Sequence, residues 1–334
     1  DIFDVSARSV MLPVVPMFHA GGWCMPYAAA MVGFKLVLCA DNQPERLCRL
    51  FSAEGVTHSA GVPTVWLSMI DHVERTGAPL GKLHTIIVGG SSAPPATIRW
   101  FRDRGIRVNH LWGMTEMSPV GTVGAPPPNW DAMSEEEQLA YMARPGRSMF
   151  GVELRVAADD GNVMPRDGKS SGRLQTRGPG VVKRYFKQDQ DCVDEDNWFD
   201  TGDIAVIHPD NSLRLTDRAK DVIKSGGEWI SSIELENVAV GCPGVAEAAA
   251  IGIPHPKWDE RPLLLIVRDP GSNVGETEIR AALSSQLAKW WLPDAIEFVA
   301  DLPHTATGKL SKKDLRDQYR DYRFANAEAM VGRD

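Results

Sequence analysis

The sequence predicts an α/β fold in which a large domain with a parallel α/β sheet and a small β subdomain precedes a small α+β domain. Three observations lead to this prediction. Short apolar runs alternate with helical patterns up to about Thr115, short alternating strands follow Gly151, and a compact α+β pattern follows the charged segment 217–221. The 334 residues exceed one average domain, and 43% hydrophobic content suffices for a packed core.

The first part of the chain predicts five strands of a parallel sheet with helices between them. The strands are expected at Val10–Phe18, Lys35–Cys39, Val56–Ala60, Thr85–Val88 and Ile106–Leu111. The helices are expected at Cys24–Val32, Gln43–Glu54, Pro63–Glu74 and Pro94–Arg104. Pro63 and Pro94 suit the first turn of a helix, because the missing N–H costs nothing there. Gly33 follows the first helix, where a helix often stops.

The middle of the chain predicts a polar insertion and then a β subdomain. Residues 125–146 are polar and Pro-rich, with an acidic helix at Ser134–Ala143. Asp160-Gly161 and Asp210-Asn211 are typical of hairpin turns. The predicted divisions are a large domain at 1–216, split into an α/β part at about 1–145 and a β subdomain at 146–216, then a boundary segment at 217–221 and a small domain at 222–334.

Two capping patterns locate helices in the last part of the chain. Ser231 and Glu234 form a capping box before a helix at Leu235–Val240. Ser311 and Asp314 fit the looser pattern, which places Lys309 on a loop just before a helix.

Composition excludes several classes of function. The net charge of −8 argues against nucleic acid as the main partner, since a phosphate backbone demands a basic face. No apolar run approaches the roughly 20 residues that span a bilayer. The cysteine count is odd and no C-x-x-C pair occurs, which argues against a disulfide framework and a zinc site and favours a reduced, cytoplasmic setting. The cysteines are Cys24, Cys39, Cys48, Cys192 and Cys242.

Two strand ends carry residues suited to a nucleotide. The small residues of 89–95 follow a strand and open a helix, so that a flat ligand can approach the backbone. Thr115 offers a hydroxyl to a phosphate oxygen, and Glu116 offers a carboxylate to Mg²⁺, at the strand end where ligands bind in such sheets. A tight turn and a solvated glutamate are the equally open structural alternatives.

Three later stretches could also take part in chemistry. Asp203 could accept hydrogen bonds from a ribose diol, although a simple turn is the alternative. The paired glycines of 226–229 imply positive φ or close backbone approach, and Trp229 could flank a ligand or belong to a core. Lys309 suits the neutralisation of phosphate oxygens, but the Walker A spacing is missing and an isolated loop lysine is more often a solvated charge.

These stretches, in this order, resemble the adenylate-forming superfamily over essentially the whole chain, and within it the medium-chain fatty acyl-CoA synthetases. The resemblance implies an acid–thiol ligase that converts a carboxylate and ATP to acyl-AMP and pyrophosphate, and then acyl-AMP and CoA to acyl-CoA and AMP. It implies ATP and CoA as co-substrates with Mg²⁺, and a short or medium-chain acid such as 3-methylmercaptopropionate.

The resemblance also assigns roles to single residues of the nucleotide site. The loop against which adenine packs corresponds to Ser91, Ser92, Ala93 and Pro94. The segment along the adenylate corresponds to His110, Trp112, Gly113, Met114 and Thr115. Thr115 is expected on the α-phosphate, Glu116 on Mg²⁺ as the metal ligand, and Lys309 as the lysine needed for adenylation. Asp203 and Arg218 correspond to the residues that hold the ribose hydroxyls.

Further roles concern the acyl group and the thioester step. The acyl pocket corresponds to His19, Trp23, Gly89 and Gly90. A large Trp23 would favour a short or medium acyl chain, with ordinary core packing as the alternative. Lys220, in the segment 217–221, corresponds to the hinge about which the small C-terminal domain turns, so that this domain is expected to be mobile. Other members have Asp at that position. The residues expected in the CoA step are Gly226, Gly227, Glu228, Trp229 and Glu260.

One departure from the family pattern is the absence of its Thr/Ser/Gly-rich phosphate loop, which would lie upstream of Asp1. The resemblance therefore makes 1–216 the C-terminal part of the family's large domain. The missing N-terminal segment of the same enzyme, as a separate chain, is expected as a partner, and a homo-dimer is a further expectation. Two other functions stay open. An adenylation domain that loads a carrier protein usually has an Asp near the pocket entrance, and 17–23 contains none. The other is a non-catalytic fragment that binds nucleotide or CoA.

Overall fold

The computed structural model describes residues 3–90, 93–306 and 308–324. Backbone proximity divides the chain into two compact units. The first consists of Asp1–Thr201, Ala205–Leu215 and Thr307–Lys309, and the second of Gly202–Ile204, Thr216–Ala306 and Leu310–Asp334. The predicted boundary at residue 216 stays a prediction, and this division separates Leu215 from Thr216.

A seven-stranded sheet forms the centre of the first unit. Its strands are β1 Val10–Pro13, β2 Lys35–Leu36, β3 His58–Gly61, β4 Thr85–Val88, β5 Arg107–Gly113, β6 Val120–Val123 and β7 Arg147–Ser148. The order across the sheet is β2-β1-β3-β4-β5-β6-β7. The first five pair in parallel, whereas β6 and β7 are antiparallel additions. The predicted parallel α/β sheet is confirmed.

Helices connect these strands and cover the sheet. They are α1 Ala20–Val32, α2 Pro44–Ala53, α3 Pro63–Thr76, α4 Pro95–Arg102 and α5 Glu135–Met142. Proline occupies the first turn of α2, α3 and α4, where a helix loses no hydrogen bond to it. Phe51, Trp66 and Phe101 from these three helices are completely buried with Leu12 and Ile86 of the sheet. This core fixes the carboxyl ends of the parallel strands.

The structure corrects the first predicted strand and the first predicted helix. The strand ends at Pro13 instead of Phe18, and α1 begins at Ala20, four residues before Cys24. The His19 ring makes the early start possible, because its Nδ1 accepts a hydrogen bond from the Gly21 N–H at 3.2 Å. A side chain at Gly22 would lie 2.4 Å from the Pro16 carbonyl oxygen, so only glycine fits there.

A four-stranded sheet follows in the predicted β subdomain. Its strands are β8 Glu153–Ala157, β9 Gly172–Arg177, β10 Phe199–Ile207 and β11 Leu213–Arg218, in the order β11-β10-β9-β8. Asn211, in the predicted turn between β10 and β11, has φ 65°. Gly161 has φ 85° in the turn after β8. Both turn pairs thus lie in tight reversals of the chain.

The second unit has its own sheet with helices on both faces. Its elements are β12 Ile223–Ser225, β13 Glu228–Ile230, β14 Val245–His255, β15 Asp259–Arg268, β16 Ala295–Phe298, α6 Ser232–Val240, α7 Glu276–Gln286 and α8 Lys312–Gln318. Along β15, Leu264 and Ile266 pack with α6 and α7, whereas Leu263 and Leu265 pack with α8. The alternation is the period-2 pattern of a strand buried on both faces. Among the described residues, no helix has the length and apolarity needed to cross a membrane.

The starts of α6 and α8 meet in a buried ionic cluster. Lys312 forms an ion pair with Glu236 at 2.7 Å. Asp217 accepts hydrogen bonds from the N–H and the hydroxyl of Ser232 at 2.6 and 2.7 Å, and Ser232 also accepts from Lys312. Burial raises the pKa of Glu236 to about 7, against the lowering effect of Lys312. The Ser231 hydroxyl accepts from the Glu234 N–H at 3.2 Å, which is one of the two hydrogen bonds of the predicted capping box.

Candidate active site

A cavity of about 520 Å³ lies at the carboxyl edge of the parallel strands in the first unit. Gly61 at the end of β3, Gly89 just after β4 and Gly113 at the end of β5 all line it. Ligands bind at this edge in open α/β sheets, because the loops that follow the strands converge there. The position therefore makes this cavity the candidate site for a small molecule.

The wall of the cavity beneath α1 is apolar. Side chains from α1, from the sheet and from the segment before β1 form it. They include Met11, Met25, Ala28, Phe34, Ile87 and Leu111. Such a wall can bind a hydrocarbon chain by excluding water, at about 0.8 kcal/mol for each buried methylene.

Gly89 and Gly90 shape the cavity by having no side chain. A Cβ at Gly89 would lie 2.7 Å from Leu111 Cδ1. Gly90 has φ +89°, and a Cβ there would lie 2.7 Å from Cε of Lys309 and 3.2 Å from Cγ1 of Val62. The predicted role of these glycines at the acyl pocket stays a prediction, but both lie at the cavity.

Lys309 reaches the same cavity from the loop before α8. The Gly308 carbonyl, one residue earlier, accepts a hydrogen bond from the Thr64 hydroxyl at 2.9 Å. The lysine side chain lines the cavity with Gly90 and Thr115. The structure thus brings together a lysine, a threonine and two glycines, which is a chemically suitable set for an anionic ligand.

His19 lines the cavity from the start of α1. Burial lowers the pKa of its ring, and the positive charge of Lys309 lowers it further. His19 is therefore neutral at pH 7. Because Nδ1 accepts from the Gly21 N–H, the neutral ring carries its proton on Nε2.

Thr115 and Glu116 lie on a 3₁₀ turn, Thr115–Met117, which follows β5. Thr115 lines the cavity. The backbone carbonyl of Glu116 accepts from the Val182 N–H at 2.7 Å, and its carboxylate Oε1 accepts from the Tyr185 hydroxyl at 2.9 Å. Burial, together with the bond to Glu116, raises the pKa of Tyr185 to about 12, so this hydroxyl is a donor at physiological pH.

Glu116 fits a magnesium ion that arrives with phosphates. Within the described residues, no group of three or more His, Cys, Asp or Glu side chains could hold a metal ion without further ligands. Mg²⁺ commonly takes only one or two protein carboxylates and completes its shell with substrate phosphates and water. Glu116 supplies a single carboxylate, whose Oε1 accepts from the Tyr185 hydroxyl, and one such carboxylate matches that requirement.

Several predicted adenylate residues lie away from the cavity wall. His110 and Trp112 are buried, and the His110 ring bonds through Nδ1 to the Ala143 carbonyl at 2.8 Å. Ala93 is buried and Pro94 caps α4. Met114 lines the cavity with Gly113. Ser91 and Ser92 lie outside the described residues.

Trp23 does not line this cavity among the described residues. Its side chain is 47% exposed and contacts Tyr27 edge to face, with ring centroids 5.8 Å apart. The same helix turns Cys24, Met25 and Ala28 toward the cavity instead. The expected narrowing of the acyl pocket by Trp23 stays a prediction.

Asp203 and Arg218 come together within the second unit. The Arg218 guanidinium pairs with the Asp203 carboxylate at 2.8 Å, and the carboxylate is almost fully buried whereas the guanidinium is half exposed. The pair joins the neighbouring strands β10 and β11. An oriented carboxylate of this kind can accept hydrogen bonds from a diol.

Four of the residues expected in the CoA step lie in a hairpin of the second unit, and the fifth, Glu260, lies in β15. Gly226 and Gly227 make its turn with φ 61° and 85°, between β12 and β13. The Gly226 N–H donates to the Trp258 carbonyl at 2.8 Å, and Glu260 accepts from the Lys224 N–H at 2.9 Å. Glu228 is exposed and Trp229 is half-buried. Lys220 is exposed in the turn after β11.

The sequence did not predict two residues that form hydrogen bonds to the candidate site and belong to no recognised motif. Thr64 anchors the Lys309 loop, and Tyr185 bonds Glu116. Thr64 follows a helix-starting proline and Tyr185 sits among exposed charges, so neither position carries a pattern that marks a ligand site.

Two profiles of known families match the chain. The one described as AMP-binding enzyme matches residues 1–186, and the one described as AMP-binding enzyme C-terminal domain matches residues 234–309.

Individual relatives give the same picture. A 3-methylmercaptopropionyl-CoA ligase from Ruegeria lacuscaerulensis is 46% identical over 96% of this chain and 60% of its own length. A medium-chain-fatty-acid–CoA ligase from Ectopseudomonas oleovorans is 44% identical over 96% of this chain and 59% of its own. The structure of the Bacillus subtilis o-succinylbenzoate CoA synthetase in complex with its acyl-adenylate intermediate has a TM-score of 0.79 at 26% identity, covering 96% of this chain and 63% of that one. The chain thus spans about 60% of the length of the curated relatives it matches.

Proposed function

This chain belongs to the AMP-binding enzyme family, and on that premise we propose that it forms most of an ATP-dependent acyl-CoA ligase. A carboxylate oxygen attacks the α-phosphorus of ATP, the bond to the pyrophosphate oxygen breaks, and acyl-AMP and pyrophosphate result. The sulfur of CoA then attacks the acyl carbonyl carbon, the bond to the AMP oxygen breaks, and the thiol proton passes to solvent. Two relatives named as CoA ligases support this reaction class.

The observation that carries the proposal is the cavity shared by Lys309, Gly90 and Thr115. The Lys309 ammonium offsets the negative charge that builds on the phosphoryl oxygens, and the Thr115 hydroxyl donates to an α-phosphate oxygen. Gly90 leaves room for the lysine stem. The chain supplies no covalent nucleophile in this scheme, since positioning and electrostatics suffice for phosphoryl transfer.

The nucleotide requires further groups of the chain. Ser91, Ser92, Ala93 and Pro94 are proposed to pack against adenine, and Asp203 to accept from the ribose hydroxyls while Arg218 holds its carboxylate. His110, Trp112, Gly113 and Met114 are proposed along the adenylate. Mg²⁺, held by Glu116 and phosphate oxygens, would supply positive charge at the reacting phosphate.

The acyl group is proposed to lie against the apolar wall beneath α1. Neutral His19 and the backbone of Gly89 border it, and Met25 and Ala28 contact the chain of the acid. A short or medium-chain acid, including the thioether acid 3-methylmercaptopropionate, suits a wall with methionine sulfurs because these are polarizable and adaptable. The names of the relatives support the same range of acids.

The thioester step is proposed to use the hairpin of Gly226, Gly227, Glu228 and Trp229. In this proposal the predicted small domain, 222–334, which carries Lys309, turns about Lys220 after adenylation. Lys309 then withdraws, and the hairpin borders the pantetheine of CoA. Glu260 keeps the hairpin in shape through its bond to Lys224. A domain turn of this kind shields each step from water.

A segment in addition to residues 1–334 is proposed to cover α1, either within the same chain or as a separate one. Tyr27 and Met31 on this helix and Phe18 just before it are strongly exposed, and clustered apolar surface usually marks an interface. A second copy of the chain is the alternative cover. We place the enzyme in the cytoplasm, a proposal supported by the five cysteines, all of which are free thiols in the structure.

Acid-dependent exchange of labelled pyrophosphate into ATP tests the reaction class. We expect medium-chain acids and 3-methylmercaptopropionate to promote exchange, amino acids to fail, and CoA to convert the product to a thioester. Exchange with amino acids would favour a domain that loads a carrier protein. If neither the chain alone nor the chain supplied with an upstream segment of a relative exchanges pyrophosphate, the ligase proposal is wrong and nucleotide binding without catalysis is favoured.

A further inference from the structure

A long irregular loop lies on the 3₁₀ turn that carries Glu116. Two hydrogen bonds fasten the loop to this turn. The Val182 N–H donates to the Glu116 carbonyl at 2.7 Å, and the Ser118 hydroxyl donates to the Gly180 carbonyl at 2.9 Å. The loop is thus held against the turn, although it contains no helix or strand of its own between 178 and 192.

The loop is closed at its base by contacts of its own. Arg184 pairs with Asp191 at 2.7 Å, and the Cys192 N–H donates to the Lys183 carbonyl at 2.9 Å. Tyr185 lies inside the closed stretch. Its position is therefore set by the loop and not by packing in a core.

Tyr185 contacts Glu116 through one specific bond. The tyrosine hydroxyl donates to Oε1 of the Glu116 carboxylate at 2.9 Å. Within the described residues, Oε2 of that carboxylate keeps its lone pairs for another partner. The Tyr185 side chain is 45% exposed, so loss of its hydroxyl removes one exposed hydrogen bond, which contributes about 1 kcal/mol or less to stability.

We propose that Tyr185 is a positioning residue that holds the Glu116 carboxylate with Oε2 directed to a divalent cation. This inference rests on the proposed function, which assigns that cation to Glu116. A glutamate on a turn samples several rotamers, and a donor on one oxygen selects the rotamer in which the other oxygen can bind metal. Partners of this kind typically change metal affinity by about 10- to 100-fold when they are removed.

The chain provides a matched control for this bond. The Tyr322 hydroxyl donates to the Glu297 carboxylate at 3.0 Å in the second unit, and burial with that bond raises the pKa of Tyr322 to about 12 as well. Tyr185→Phe and Tyr322→Phe therefore each remove one hydroxyl from a similar tyrosine–glutamate pair. Only the first pair involves the proposed metal ligand.

Binding of Mn²⁺ to the full chain, followed by electron paramagnetic resonance with and without ATP, tests the proposal. The Mn²⁺ that binds to the wild type but not to Glu116→Gln is assigned to the Glu116 site. We expect Tyr185→Phe to weaken that site about tenfold, Tyr322→Phe to leave it unchanged, and both Tyr→Phe variants to keep the melting temperature of the wild type.

Two results would overturn the proposal. One is a Tyr185→Phe variant that binds Mn²⁺ at the Glu116 site as the wild type does. The other is that Glu116→Gln binds as much Mn²⁺ as the wild type, both with and without ATP. A wild-type chain that shows the expected Mn²⁺ pattern but forms no acyl-adenylate would count against the proposed ligase function and would leave this inference standing.

Discussion

Substitution of Gly90 by alanine perturbs the candidate site chiefly at the side chain of Lys309. The new Cβ would lie 2.7 Å from Cε of Lys309, whereas carbon atoms pack at about 3.5–4.0 Å. The flexible lysine stem can yield, so its end moves by about 1 Å, and a misplacement of about 1 Å can cost about 100-fold in rate. The φ of +89° adds a folding penalty of about 1–2 kcal/mol for a residue with a Cβ. We therefore expect Gly90→Ala to slow acyl-adenylate formation by about 10- to 100-fold.

Gly77→Ala separates the backbone penalty from the displacement of Lys309. Gly77 ends α3 with φ +66°, and a Cβ there meets nothing within 4 Å. Both variants should lose similar stability in thermal unfolding, but only Gly90→Ala should lose the rate of acid-dependent pyrophosphate exchange. Wild-type exchange in Gly90→Ala, or an equal loss in both variants, would refute the reasoning.

Two further predictions concern the anchoring of the Lys309 loop and the buried cluster of the second unit. Thr64→Val removes the hydrogen bond to the Gly308 carbonyl and should slow adenylation several-fold with little change in stability. Thr64→Ser keeps the hydroxyl and should keep the wild-type rate of pyrophosphate exchange. Equal exchange rates in Thr64→Val and the wild type would contradict this prediction. Lys312→Met leaves Glu236 buried without its cation and should cost about 3–5 kcal/mol at pH 8. Burial raises the pKa of Glu236 to about 7, and loss of Lys312 raises this pKa further. Protonation of Glu236 therefore stabilises the folded variant at low pH, and this stabilisation is lost as the pH rises through the raised pKa. The denaturant midpoint of Lys312→Met should therefore approach that of the wild type at pH 5, and a cost that is equal at pH 5 and pH 8 would show that Glu236 does not titrate in this range.

Buried parallel strands were the part of the fold most readable from sequence. Thr85–Val88 coincides with β4, because a short apolar run between two helical patterns has one natural place in a parallel sheet. The helices that start with proline were found to within a few residues for a similarly local reason.

The start of α1 was not predictable in the same way. Gly21 and Gly22 in its first turn are poor helix formers, and the helix depends on a histidine cap and a close approach to Pro16 that only the folded chain creates. The helix is also apolar on every side, so the sequence could not say that Met25 and not Trp23 faces the cavity.

The same contrast holds for the site. Glycines, the Thr115 turn and Lys309 carry local patterns that the sequence displays. Thr64 and Tyr185 act through contacts with residues 244 and 69 positions away, respectively, and such distances leave no mark in one sequence.

Separate measurement of the two half-reactions in Lys309→Ala tests the proposed division of labour most directly. Acyl-adenylate formation is followed by pyrophosphate exchange, and thioester formation is followed from supplied acyl-AMP and CoA. We predict that Lys309→Ala abolishes the first reaction and leaves the second near the wild-type rate, because the ammonium serves only the charge on the phosphoryl oxygens. An equal loss in both half-reactions would contradict the account.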